Sequence, residues 1–198
     1  MAILLLVNPY LFSLPDAHTK GLVVISVVAL SVGFPMLIIF LMKMLGMVKS
    51  LQMKDPMERI GPLIGTSIFY LWLYINIYKN PVFPEAFAVF TLGATIGLFL
   101  AFFINNFSKI SLHGVGMGGL VTAMFFIRFF YSYNSFILDL GSVGVYHVHV
   151  NALLFMVIII AGLVGSCRLY LGAHNKTDLY GGYLVGIISQ IIAFRFLV

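Results

Sequence analysis

Residues 22–42 read LVVISVVALSVGFPMLIIFLM, a run of 21 residues without a charged side chain. A helix needs roughly 20 apolar residues to cross the hydrocarbon core of a bilayer, so this stretch by itself predicts a membrane span. Similar stretches follow it at residues 61–78, 86–107, 114–133, 150–167 and 179–198. Proline and charged residues punctuate the gaps between them. The sequence therefore predicts an all-α integral membrane protein, a bundle of about six transmembrane helices.

The overall composition points to the same class of protein. The chain has 198 residues, of which 62% are hydrophobic and 9% are charged, whereas soluble domains carry about 25% charged residues. Lipid must therefore be the solvent for most of the surface. The net charge of +5 comes without a basic run or a water-soluble face, so anionic lipid head groups are expected as its counterpart and nucleic acid is not.

The chain is expected to form one domain, residues 1–198, because no polar linker or repeat divides it. Residues 1–20 are the uncertain part. Residues 2–12 are apolar but contain Asn8-Pro9, and they are too few to cross about 30 Å of hydrocarbon. A partial span, an interfacial segment and the end of a longer helix all remain open for them.

Alternation of the six spans across the bilayer sorts the connecting loops onto two faces. Residues 49–59, 108–113 and 168–178 share one face, here called the polar face, and residues 16–20, 79–85 and 134–149 share the opposite face. The polar face collects most of the side chains suited to chemistry. These are Lys54, Arg59, Lys109, Ser111, His113, Arg168, His174 and Asp178.

Residues 167–178, CRLYLGAHNKTD, contain an Arg, five residues, a His, three residues and an Asp. This spacing resembles the third motif of the type 2 phosphatidic acid phosphatase superfamily, with Cys167 where that family has serine. Residues 110–113, ISLH, resemble its second motif, Pro-Ser-Gly-His, with Leu112 in place of the glycine. The first motif, Lys, six residues and Arg-Pro, is degenerate, since residues 105–109, NNFSK, stand in its place. The resemblance covers residues 86–198, the phosphatase-like core.

The resemblance implies a membrane phosphatase that cleaves a lipid phosphate or diphosphate through a phosphohistidine, without a metal or another cofactor. His174 is then the nucleophile, Asp178 orients its ring from four residues further on, and His113 protonates the leaving alkoxide. The expected phosphate-binding residues are Arg168, Ser111, Lys109, Lys54 and Arg59, of which the last two lie on the polar face and take the place of the missing first motif. Phosphatidate, phosphatidylglycerol phosphate, a polyprenyl diphosphate and a lipid A phosphate all remain candidate substrates.

Structural explanations stand beside this hypothesis. Arg168 is also the type of residue that anchors a helix at a membrane interface, and His174 with Asp178 is also typical of a helix cap. The alternative function is a catalytically weak or silent lipid-binding subunit of a larger membrane complex. His147 and His149 lie two residues apart on the opposite face without a third ligand nearby, so no metal site is predicted.

Charge distribution and family resemblance predict different membrane sides for the polar face. Seven of the 11 Lys and Arg residues lie at or near the polar face, which by the positive-inside rule predicts a cytoplasmic site. Three of the seven, Lys54, Arg59 and Arg168, are expected to bind phosphate, and without them the two faces balance. The resemblance implies an extracytoplasmic site in a bacterial inner membrane, and this is the expectation adopted.

Overall fold

The computed structural model describes residues 17–50, 53, 55–131, 134–139 and 144–198. Within these residues, six helical segments are long and apolar enough to cross a membrane, as predicted. The first consists of α1 (Ala17–Val28), a π-helical turn (Ala29–Gly33) and α2 (Phe34–Met44). The others are α3 (Ile60–Tyr78), α4 (Glu85–Asn105), α5 (Leu112–Phe129), α6 (Val150–Tyr170) and α7 (Lys176–Leu197). The prediction of an all-α integral membrane bundle is confirmed.

Helices α4, α5 and α7 form the centre of the bundle. Helix α7 packs along both α5 and α4, and α3 also packs on α4. The first span and α6 lie at the periphery and expose large apolar side chains along their lengths, among them Phe40, Met44, Phe155 and Leu163. In a bilayer these side chains face lipid, where their exposure carries no hydrophobic cost.

Close approach of α5 and α7 depends on glycine. A Cβ on Gly182 would lie 2.5 Å from the backbone oxygen of Ser111, and a Cβ on Gly186 would overlap the backbone of Val115. A Cβ on Gly118 would likewise overlap the backbone of Tyr183. Small residues at a helix interface let two backbones approach within a membrane. The glycines in these two helices therefore allow α5 and α7 to pack closely.

The segment predicted as a loop at residues 134–149 contains a β-hairpin, so that prediction is wrong. Strand β1 (Ser135–Asp139) pairs antiparallel with β2 (Val145–His149), with Ser135 opposite His149. Phe136 is buried against the end of α5 and the start of α6, which anchors the hairpin to the bundle. His147 and His149 are exposed, and the described residues hold no cluster of three metal-ligating side chains.

Candidate functional site

A tight turn between α6 and α7 returns the chain over the last turn of α6. The amide of Gly172 donates to the carbonyl of Leu169 (3.0 Å), and the amide of Ala173 donates to the carbonyl of Arg168 (3.2 Å). This pair of bonds is a Schellman cap, and it requires the left-handed backbone that Gly172 adopts at φ 61°. The cap sets His174 close in space to Arg168.

A capping box starts α7 immediately after this turn. The side chain of Asn175 accepts a bond from the amide of Asp178 (2.7 Å), and the carboxylate of Asp178 accepts one from the amide of Asn175 (3.2 Å). The same carboxylate oxygen lies 3.5 Å from Nδ1 of His174. This distance is at the outer limit for a hydrogen bond, so the expected bond between Asp178 and His174 is present only as a long contact. Asp178 thus serves a helix cap and faces the imidazole as well.

Two hydrogen bonds join the loop before α5 to the start of α7. Nζ of Lys109 donates to the carbonyl of Ala173 (2.9 Å), and the amide of Ser111 donates to the carbonyl of Asp178 (3.1 Å). Ser111 is fully buried, and its hydroxyl accepts a bond from the amide of Gly114 as the N-cap of α5. Ser111 therefore caps α5 and is not among the residues that line the cavity described below.

Arg59 reaches the polar face from a 3-10 turn, Pro56–Arg59, that leads into α3. The Asp55 side chain caps this turn by accepting a bond from the amide of Met57 (2.9 Å). Nε of Arg59 donates to the carbonyl of Met53 (2.8 Å). Nδ2 of Asn105, at the end of α4, donates to the carbonyl of Pro56 (2.8 Å), which fixes the turn against the bundle.

These elements surround one cavity of about 880 Å³, here called the polar cavity. Five of the predicted site residues line it together: Arg59, Lys109, His113, Arg168 and His174. Asp178 stands behind His174 and is not part of the lining, and Lys54 lies outside the described residues. Residues separated by more than 100 positions in the sequence thus converge on one space at the polar face.

The charge around the polar cavity favours an anion. Arg59, Lys109 and Arg168 contribute three cations to the described lining, which contains no carboxylate. Burial lowers the pKa of His174 below its ordinary value, the nearby Asp178 carboxylate opposes this shift, and Lys109, Arg168 and Arg59 add to it. The buried His174 is therefore mainly a neutral imidazole at pH 7 and has a lone pair available.

The neutral imidazole of His174 is expected to carry its proton on the ring nitrogen that faces the Asp178 carboxylate. Nδ1 lies toward Asp178 and is shielded from solvent, so it carries the proton in the neutral ring. Nε2 then holds the lone pair. Nε of Arg168 is also buried without a hydrogen-bond partner, and an anion bound in the cavity would satisfy the donors of this guanidinium.

The chain was compared with known protein families, curated proteins and solved structures. No family model, no curated protein and no solved structure matches the chain.

Several residues that shape the site were not singled out from the sequence for these roles. Asn105 holds the turn that carries Arg59, and Gly172 makes the cap that sets the position of His174. The Gly after the end of an apolar helix was an available signal, since glycine is the common residue at this cap position. The bond from Asn105 to Pro56 joins positions far apart in sequence and had no sequence signal.

Proposed function

We propose that this protein is a membrane phosphatase that hydrolyses a lipid phosphate or diphosphate through a phosphohistidine intermediate, without a metal or another cofactor. The observation that carries the proposal is the convergence of His113, His174 and three cations on one cavity at the membrane-surface end of the bundle. Phosphoryl transfer needs mainly positioning and neutralisation of charge on the phosphate oxygens, and this lining supplies both.

In the first step, Nε2 of His174 attacks phosphorus while the bond from phosphorus to the leaving lipid oxygen breaks. Arg59, Lys109 and Arg168 neutralise the non-bridging oxygens. His113 in its protonated form transfers a proton to the departing oxygen, so that a lipid phosphate releases the alcohol and a lipid diphosphate releases the lipid monophosphate. Asp178 stabilises the positive charge that develops on the imidazole of His174, and the contact of 3.5 Å shortens as that charge grows.

In the second step, water replaces the lipid alcohol. Neutral His113 accepts a proton from the water as its oxygen attacks the phosphorus of phosphohistidine. The bond between phosphorus and Nε2 breaks, which returns inorganic phosphate and neutral His174. His113 is again protonated and ready for the next lipid. The same residue thus acts as acid and then as base, as a two-step displacement requires.

A second candidate function is a catalytically silent lipid-phosphate-binding subunit of a membrane complex. Leu112 favours it, because this side chain lines the polar cavity at the position where the related motif has glycine. A leucine there reduces the space for close approach of the phosphate to the backbone. The cations would still bind the head group in this case, while turnover would be absent.

The proposed location is a bacterial inner membrane with the polar face on the extracytoplasmic side. The resemblance of the two motifs supports this side. The charge argument is neutral once Lys54, Arg59 and Arg168 are set aside.

The test is phosphate release by the purified protein from a panel of lipid phosphates and diphosphates. Release that vanadate inhibits and that His174→Ala abolishes supports the phosphatase. His147→Ala is the matched control, because His147 is exposed on the opposite face and should retain full activity. Absence of release across the panel, together with retained binding of the same lipids, overturns the phosphatase in favour of the silent subunit.

A further inference from the structure

A second cavity, of about 390 Å³, lies among α1, α3, α4, α5 and α7 and is here called the apolar cavity. Its wall shares Thr66, Leu98 and Leu112 with the polar cavity, so the two spaces adjoin at these three side chains. Each volume falls within the range of about 300 to 1,000 Å³ that is usual for small-molecule sites. A polar space at the membrane surface that adjoins an apolar one within the bundle suits the two ends of an amphiphile.

The dimensions of the apolar cavity limit the occupant. Its α4 wall runs from Leu98 to Phe87, which at about 1.5 Å per residue is roughly 16 Å. This is about half of the roughly 30 Å thickness of the hydrocarbon core, or one leaflet. At about 30 Å³ for each group the size of a water molecule, the cavity holds about thirteen methylene-sized groups. One chain of leaflet length therefore matches this space in length and in volume.

A glycine contributes open space to the wall of the apolar cavity. Gly116 of α5 lines it, and a Cβ built there meets no atom within 4 Å. A larger side chain at Gly116 would therefore enter the cavity without disturbing the helix contacts. At the inner end, the amide of Gln190 packs flat on Gly93 and donates from Nε2 to the carbonyl of Phe90 (3.2 Å), which joins α7 to α4.

We propose that the apolar cavity binds the tail of a phosphate-bearing amphiphile with a single apolar chain of about a dozen carbon atoms. The head group occupies the polar cavity, the chain passes Leu112 at the junction, and Gly116 sets the chain width that is accepted. This inference rests on the proposed function only for the phosphate head group, and it specifies the number and length of chains. A two-chain phosphate must leave its second chain outside the cavity and is bound less well.

The test measures binding, so that it is independent of turnover. The protein is placed in nanodiscs of neutral phosphatidylcholine, and equilibrium binding of radiolabelled dodecyl phosphonate, which has no hydrolysable ester, is measured above that of empty nanodiscs. Butyl phosphonate and a two-chain phosphonate analogue of phosphatidate serve as competitors. We expect dodecyl phosphonate to bind at least about tenfold more tightly than either competitor. Equal affinity of the two-chain analogue would overturn the proposal.

Variants of Gly116 test which cavity holds the chain. We expect Gly116→Leu to weaken dodecyl phosphonate about tenfold or more and to leave butyl phosphonate within about twofold. Gly116→Ala should reduce the affinity for dodecyl phosphonate by an intermediate amount. This smaller variant keeps the test valid if Gly116→Leu folds poorly. Gly162→Leu is the matched control, since Gly162 lies on the exposed side of α6, has no neighbour within 4 Å and lines neither cavity. The proposal would be overturned if Gly116→Leu weakened the binding of both phosphonates equally, or if Gly162→Leu weakened the binding of dodecyl phosphonate as much as Gly116→Leu does.

The outcomes also separate this inference from the proposed function. The expected binding pattern without phosphate release from any lipid supports the single-chain site and refutes the phosphatase. Phosphate release that is equally fast from one-chain and two-chain lipids, and unaffected by Gly116→Leu, refutes the single-chain site and leaves the phosphatase in place.

Discussion

The charge state of a single side chain, His174, controls the proposed reaction. Burial and three cations lower its pKa, so the unprotonated nucleophile persists below the ordinary value of about 6.5. We expect the acid limb of kcat/KM to lie below pH 6.5. Since the unfolded chain binds this proton more readily, the stability contributed by neutral His174 is present above about pH 6.5 and is lost as the pH falls below it. An acid limb above pH 6.5 would contradict the assignment of His174.

Asp178→Asn should move that acid limb to lower pH. The carboxylate raises the pKa of His174, so its removal lets burial and the cations lower the pKa further. The plateau rate should fall at the same time, because developing charge on the imidazole loses its partner. Comparison of the variant and the native protein on one substrate cancels the ionisation of the substrate itself. A shift of the limb to higher pH would exclude this role for Asp178.

His113 is expected to matter most when the leaving group is poor. His113→Gln should slow release from an alkyl phosphate by about 10² to 10⁴, the usual contribution of a general acid. With p-nitrophenyl phosphate, whose leaving group departs without a proton, the first turnover should stay close to the native rate and only later turnovers should slow. Rapid-mixing measurement of the p-nitrophenolate burst separates the two steps. Equal slowing of the burst and of the steady state would argue against His113 as the acid.

At the scale of secondary structure elements, the contact between α5 and α7 positions both histidines. Each helix begins at the polar face, and their glycines allow the backbones to touch. Gly186→Ala should destabilise the bundle by about 1 to 3 kcal/mol, because the added methyl group overpacks the contact. Gly181→Ala on the same helix meets no atom within 4 Å and should change stability by less than about 1 kcal/mol. Thermal unfolding in one detergent compares the two, and equal effects would refute the packing argument.

The helices were predictable from sequence because each is a long apolar run between polar or proline-containing gaps. Length and hydropathy do not predict the hairpin, because strands of five residues are too short to stand out by either property. Residues 145–149, VYHVH, do show alternation and valines, which is the available strand signal. The apolar run continues to Tyr133 and therefore predicts a later end than Phe129, where α5 ends in the structure.

At the scale of the whole molecule, the membrane orientation is testable with two matched cysteines. In a Cys167→Ser background, Ser108→Cys labels the polar face and Ser135→Cys labels the opposite face, and both serines are exposed. An extracytoplasmic polar face predicts that a membrane-impermeant maleimide modifies Cys at position 108 in intact cells and modifies position 135 only after permeabilisation. The reverse pattern would make the polar face cytoplasmic and leave the chemistry unchanged.

The grouping of the polar residues was predictable, whereas the shape of the space between them was not. Alternation of six spans brings Arg168, His113 and Arg59 to the same end of the bundle, and the structure has them on one cavity. The apolar cavity had no sequence signal, since a void depends on how side chains from five separate segments fit together. The burial of Ser111 has the same origin, because a serine before a helix suits a cap and a ligand equally well.

Asp178 both caps α7 and faces His174, and these two roles affect how its retention in related proteins can be interpreted. Its carboxylate completes the capping box of α7 whether or not His174 ever reacts, so selection for folding alone preserves it. A lineage that lost the proposed phosphatase activity would keep Asp178 and be free to vary His174, which takes no part in that cap. Among descendants and paralogues of this chain, retention of His174 together with Arg168 is therefore the informative mark of an active enzyme, and retention of Asp178 is not.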